Sequence, residues 1–187
     1  MAQFGYVHRF ANGAKAQVHD VDASYKDLTE ICRAIRGKSA PKARRILEDA
    51  IAMTKAIPYR DSRKGVGHRS DLGGLKGRYP IKECKIMRDL LINAVANAKS
   101  KGLDVENLFV AGATANRVTT FARYRRYFVT GITIGYGKQA TRSDYETAKA
   151  EIHLLPNTKV TVKKAKKPVA AKTLSPAKAA TKTPAKS

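Results

Sequence analysis

Between Arg117 and Arg142 the chain carries six basic residues, Arg117, Arg123, Arg125, Arg126, Lys138 and Arg142, and no Asp or Glu. Phe121, Tyr124, Tyr127, Phe128 and Tyr136 are interleaved with them. Cations of this kind neutralise phosphates, and rings stack on unpaired bases, so the mixture suits irregular RNA better than a regular duplex. The plainer reading is that the rings fill a core and the charges solubilise it. A second concentration, Arg60, Arg63, Lys64, His68, Arg69, Lys76 and Arg78, faces only Asp61 and Asp71. Its glycines at 65, 67, 73, 74 and 77 would let backbone approach phosphate closely.

Enzymatic chemistry fails on missing parts. The stretch from Gly131 to Gln139 looks like a phosphate-cradling loop, but that loop needs Gly where Ile132 stands and Ser or Thr where Gln139 stands. Gly65-Val66-Gly67 follows no expected strand, so it provides flexibility rather than a dinucleotide site. No nucleophile elbow occurs. His8, His19, His68 and His153 share no ligand spacing with one another or with Cys32 and Cys84, so neither a metal nor a cofactor is expected. The two cysteines lie far apart in apolar patterns and read as buried free thiols.

The whole chain supports the polyanion reading. Thirty-seven Lys and Arg against fifteen Asp and Glu leave +22 on 187 residues, a charge that needs a polyanionic partner or surface to neutralise it. Residues 156–187 are Lys, Ala, Pro, Thr and Ser with no acid or aromatic, and read as a disordered electrostatic arm. Removing its nine lysines from +22 leaves +13 on residues 1–155, so the expected folded domain is itself basic. No apolar run approaches the roughly 20 residues of a membrane span. The first eleven residues hold no signal-peptide core and include Arg9, which makes the cytosol the default compartment.

Certain elements must position these residues. Ser24, with Asp27 as its capping-box partner, starts a helix that places Leu28, Ile31 and Ile35 on one face and ends at Gly37. A second helix starts near Ser39 with Pro41 in its first turn and buries Ile46, Leu47, Ala50 and Ile51. Residues 55–80 lose hydrophobic period, and a loop of that length calls for a partner that orders it. A third helix follows Pro80, with Ile86, Met87, Leu90, Leu91, Ala94, Val95 and Ala98 in helical repeat, and stops at Gly102. A hairpin pairs residues 108–128 with 131–155, its turn near 131–137. Its last strand, residues 150–155, alternates as a half-buried strand should, and its distal part must project beyond three short helices.

Several segments are familiar: Ala50-Ile51-Ala52-Met53, Ile57-Pro58-Tyr59-Arg60, Gly65-Val66-Gly67-His68-Arg69-Ser70, Gly77-Arg78-Tyr79-Pro80 and the helix through Leu90-Leu91-Ile92-Asn93-Ala94-Val95. They resemble the archaeal and eukaryotic branch of a universal large-subunit ribosomal protein family, number twenty-two in the bacterial scheme and seventeen in the eukaryotic one. The resemblance spans roughly residues 12–155. It implies an α+β fold, three helices on a small antiparallel sheet, with a long hairpin reaching through ribosomal RNA to line the nascent-peptide exit tunnel. It also implies neighbouring ribosomal proteins as partners and a place in the cytoplasmic large subunit.

By position, RNA contacts carry over to Arg60, Arg63, His68, Arg69 and Arg78 and to Arg117, Arg123, Arg125, Arg126 and Arg142. The tunnel-facing tip carries over to Tyr127, Phe128, Ile132 and Tyr136. This chain departs from the family there, because residues 127–137 carry no charge where the family is rich in Arg. Composition alone would serve a chromatin or DNA-binding protein equally well, since the tail has Ser175-Pro176-Ala177-Lys178 and Thr183-Pro184-Ala185-Lys186 repeats like those of linker histones. No helix-turn-helix or zinc finger accompanies them.

Overall fold

The computed structural model describes residues 5–7, 13–122 and 144–157. Three helices, α1 (Tyr25–Ile35), α2 (Ala40–Ile51) and α3 (Ile81–Ser100), pack with a three-stranded antiparallel sheet in an α+β arrangement. The sheet comprises β1 (Ala14–Val21), β4 (Leu108–Phe121) and β5 (Tyr145–Pro156), in the order β1-β5-β4. A minor sheet pairs β2 (Ile57–Pro58) with β3 (Gly77–Arg78). No helix among the described residues is long and apolar enough to cross a membrane.

The helices follow their local signals. Ser24 caps α1, its hydroxyl accepting from the Asp27 N–H, and Leu28, Ile31 and Ile35 are all buried. Only half of the expected capping box forms. The Asp27 carboxylate accepts the Tyr59 hydroxyl at 2.7 Å, and the Ser24 N–H donates to Glu83 at 3.3 Å. Gly37 takes φ +74 after α1, and its N–H donates to the Val110 carbonyl, tying the helix end to β4. In α2, Leu47 and Ala50 are buried as expected, while Ile46 and Ile51 are only partly covered. Met87, Leu90, Leu91, Ala94 and Ala98 of α3 enter the core, with Ile86 and Val95 partly buried beside them.

Facing them, the sheet presents mostly small side chains, Ala14, Ala16, Ala113, Ala148 and Ala150, with Leu108, Val110, Ile152 and Leu154. The alanines leave room for helices to sit close to the strands. Cys32 and Cys84 are buried free thiols, and burial pushes both up to about 12.

Three expectations need correction. The first is an omission: β1 was not anticipated, because its inward positions Ala14 and Ala16 have weak strand preference, and its strand conformation depends on pairing with β5. The second concerns β5, which is the central strand and is covered on both faces through residues 150–154, so its polar side chains there are not solvated. Glu151 and His153 are buried; the Val7 N–H donates to Glu151 at 2.9 Å, and the Tyr6 ring meets His153 edge-on at 5.3 Å. Burial pushes the Glu151 carboxyl up, but the Lys149 ammonium at 2.7 Å and the Val7 N–H outweigh it and leave it below the usual carboxylate range.

The third correction concerns residues 55–80, which have structure of their own. Besides β2 and β3 they contain a 3-10 turn (Ser70–Leu72) and a bridge between His68 and Lys76, and they bury Ala56, Ile57, Tyr59 and Val66. Of the expected hairpin, the described strands pair as β4 and β5, with Leu108 opposite Pro156 and Phe121 opposite Tyr145. From Asn116 to Phe121 the side chains of β4 are exposed, so the pair leaves the core before its described end. The hairpin turn, and residues 158–187 of the expected arm, lie outside the described residues.

Candidate nucleic-acid interface

Glu30 explains how the basic loop is held. It lies on α1 among the buried residues, where a carboxylate is costly unless donors surround it. The donors come from the loop. The Arg60 N–H donates to one oxygen at 3.1 Å, and the Asp61 and Ser62 N–H groups donate to the other at 2.8 and 2.9 Å. Arg33, one helical turn along, approaches the same carboxylate at 3.6 Å and pairs with Asp61. The Arg33 guanidinium holds the Asp61 carboxyl below its ordinary value.

Asp71 makes a second clamp. Its carboxylate accepts the Ala56 N–H at 2.6 Å and the Tyr79 hydroxyl at 3.1 Å, and these bonds hold its acid strength above normal. Tyr59, held by Asp27, has its hydroxyl pushed well up by burial and by that carboxylate. The two acids counted above as mere opposition to the loop's positive charge are therefore structural groups. Asp61 pairs with Arg33, and Asp71, like Glu30, satisfies backbone that no ladder reaches.

With the backbone held this way, Arg60, Arg63, His68 and Lys76 line one groove of 480 Å³, beside Pro58 and Tyr59. Leu75, 61 % exposed, shares its wall. The His68 ring N–H at Nδ1 donates to the Gly74 carbonyl at 2.6 Å, and Arg69 and Arg78 of the same loop are likewise engaged within it. Arg69 donates to the Gly77 carbonyl at 3.2 Å and lies 5.1 Å from the Tyr79 ring centre, while Arg78 donates to the Gly65 carbonyl at 3.4 Å. Lys64 is exposed in the turn before Gly65, away from the groove lining. Arg117 lies apart on β4, paired with Glu146 at 2.9 Å across the strands. Arg123, Arg125, Arg126, Lys138 and Arg142, and the tip residues Tyr127, Phe128, Ile132 and Tyr136, lie outside the described residues.

Four cations not anticipated from sequence adjoin this groove. Arg33, Arg36, Lys38 and Lys55 surround a second groove of 340 Å³, which shares Pro58 and Arg60 with the first. Arg36 is fixed by donating to the Ala113 carbonyl at 2.5 Å. A sequence signal existed: Arg33 and Arg36 are three residues apart and off the Leu28, Ile31, Ile35 stripe, so helical spacing sets Arg33 on the outward side of α1 and Arg36 at its capped end. Nothing local links them to Lys55. Because the two grooves share Pro58 and Arg60, their basic residues adjoin, a charge arrangement that suits an anion. Among the described residues no cluster of His, Cys, Asp and Glu could hold a metal.

The family described as "Ribosomal protein L22p/L17e" matches residues 16–127. The "Large ribosomal subunit protein uL22" of Archaeoglobus fulgidus is 42% identical over 128 residues, covering 66% of this chain and 83% of the relative. Its counterpart in Thermofilum pendens is 45% identical over 111 residues, 59% of this chain and 73% of that one. The Methanosphaera stadtmanae protein is 46% identical over 105 residues, 56% of this chain and 68% of its own length.

Proposed function

The chain belongs to the ribosomal protein L22p/L17e family, and from that footing we propose that it is a non-catalytic constituent of the large ribosomal subunit that binds ribosomal RNA through the grooves on either side of Arg60. The convergence of Arg60, Arg63, His68 and Lys76 on one preformed groove carries the reading. Carboxylates within the domain hold the loop backbone, which leaves Arg60, Arg63 and Lys76 to face outward, while the His68 ring donates to the Gly74 carbonyl and braces the wall. Arg69 and Arg78 shape the loop as well as adding charge. Lys64 and Arg117 join the surface as peripheral contacts.

The finer parts of the reading rest on family position. The hairpin beyond Phe121 carries Arg123, Arg125, Arg126, Lys138 and Arg142 to RNA. Tyr127, Phe128, Ile132 and Tyr136 line the nascent-peptide tunnel, whose wall is more apolar here than in most of the family. Residues 1–155 act as the RNA-binding domain and residues 156–187 as a cationic arm. Neighbouring ribosomal proteins complete the partners, in the cytoplasmic large subunit. Family membership, rather than charge, separates this reading from the DNA-binding alternative.

Two measurements test it. In sucrose gradients of a lysate the chain should co-sediment with large subunits and stay there at high salt; sedimentation with chromatin or as free protein would overturn the assignment. Replacing Arg60, Arg63 and Lys76 together by Ala should lower RNA affinity and flatten the slope of log K against log salt by roughly 2 to 3, since each lost phosphate contact removes about 0.7 to 0.9 of a released counterion. An unchanged slope would clear this groove of the role.

A further inference from the structure

The groove beside α1 is not built for phosphate alone. Ala34, Ile46, Ala56, Ile57 and Leu72 floor it, and its five basic residues stand around that floor with no acid in the lining. An apolar floor offers nothing to a hydrated phosphate, whose oxygens lose water there without gaining donors. A nucleobase has the opposite needs, with flat π faces that favour apolar contact and polar edges that remain at the rim. At 340 Å³ the space is ample for a base with part of its sugar. Arg33 and Arg36, each fixed by a partner within the domain, place guanidinium planes at the wall, against which bases also stack.

Hydrogen bonds hold the loop side of the groove in place. Ala56, at its floor, is held by Asp71, and Arg60, at its wall, has its backbone held by Glu30. A preformed pocket spares the ligand the cost of ordering it. Because Pro58 and Arg60 line both grooves, a strand crossing this ridge can set a base on the α1 side while its phosphates continue toward Arg63 and Lys76. A base buried in a duplex would first have to leave its stack, and that cost is least for a base already unpaired.

We propose that this groove is a pocket for a single unstacked nucleobase, so that the protein selects RNA carrying a bulged or looped-out nucleotide over continuous duplex. The proposal rests on the RNA-binding reading above and adds the class of RNA element recognised.

The test compares two RNA hairpins, identical except that one carries a single unpaired purine, for binding to the full chain. A fluorescent purine analogue quenched by stacking replaces that purine in a parallel sample. The bulged hairpin is expected to bind about tenfold more tightly, the scale of one base held against a protein surface, with emission rising on binding. Ala34→Leu, which fills the floor, should bring the bulged hairpin down to the affinity of the paired one; its melting transition establishes that the variant folds. Equal affinities in the unmodified protein with emission still quenched would overturn the pocket while leaving RNA binding intact, as would full preference in a folded Ala34→Leu variant. Binding to neither hairpin would overturn the RNA reading and the pocket together.

Discussion

The loop between β2 and β3 and the paired strands β4 and β5 both carry basic side chains, yet their backbones are satisfied in different ways. In β4 and β5 the ladder runs from the Leu108–Pro156 pair to the Phe121–Tyr145 pair, so the strands supply each other's donors and acceptors. The loop has only two paired residues on each side; its second half is tied by turns and by the bridge between His68 and Lys76, while the backbone of residues 60–62 depends on a side chain. Glu30 takes three of its N–H groups, and Asp71 of the loop takes the Ala56 N–H just before β2. A ladder distributes the load over many bonds, whereas a clamp concentrates it on one carboxylate. Single substitutions should therefore damage the loop far more than the strands.

The largest effect should follow loss of the clamp. Glu30→Ala is expected to destabilise the domain by roughly 3 to 5 kcal/mol in urea denaturation, because it strands three donors at a part-buried site. Glu30→Gln, which keeps one acceptor oxygen, should cost about 1 to 2 kcal/mol. An alanine variant within about 1 kcal/mol of the parent would mean the loop is held by packing alone.

Next in size is a single side chain in the strands. β1 has a register shift between Val18 and Val21, with Asp20 at φ +51, and β4 shifts between Arg117 and Thr120. Thr147 of β5 spans both irregularities, its hydroxyl accepting the Thr119 N–H at 3.2 Å and donating to Asp20 at 3.3 Å. Thr147→Val should cost about 1 kcal/mol and speed hydrogen exchange at the Thr119 amide, whereas Thr147→Ser should restore both. Unchanged exchange in the valine variant would show that the shifts need no such support.

The Arg117–Glu146 pair should matter less, because both side chains are at least partly exposed. Arg117→Ala is expected to change stability by under about 1 kcal/mol, an effect that shrinks as salt is added. A larger, salt-independent loss in thermal melts would mean that the strand pair relies on this contact more than on its ladder.

The smallest effect is a local response to acid. Asp71 has a carboxyl held below its ordinary value by the Ala56 N–H and the Tyr79 hydroxyl, so its contribution is present above the unfolded value and is lost as pH falls through the folded one. Hydrogen exchange at Ala56 should accelerate in acid below the ordinary carboxylate range, and Asp71→Asn should abolish that dependence. Identical acid profiles in the two proteins would remove Asp71 as the second clamp.

The parts legible in the sequence share a physical basis. Helices α1 and α3 show their buried stripes at 3.6-residue spacing, and β4 and β5 show strand-forming composition, because these patterns depend on backbone geometry within a few residues. The loop was readable as basic and glycine-rich but not as ordered. Its order depends on Glu30, some thirty residues away, and on Asp71, which the sequence presents as ordinary surface acids. β5 was readable as a strand, while its position between β1 and β4, and the burial of Glu151 and His153, follow from topology.

By itself the sequence determined the excess positive charge, the three helices, the tendency of residues near 108–121 and 145–156 to pair, and the segments that mark the family. Only the tertiary structure decided which cations converge. Arg33 comes from α1, Arg36 and Lys38 from the turn after it, and Lys55 and Arg60 from beyond α2, yet all five surround one groove. Chain separation carries no signal of such convergence. It arises because burying α1 and α2 against the rest of the core, and Glu30 against the loop, brings these segments together, leaving their charged ends to solvent on the same side.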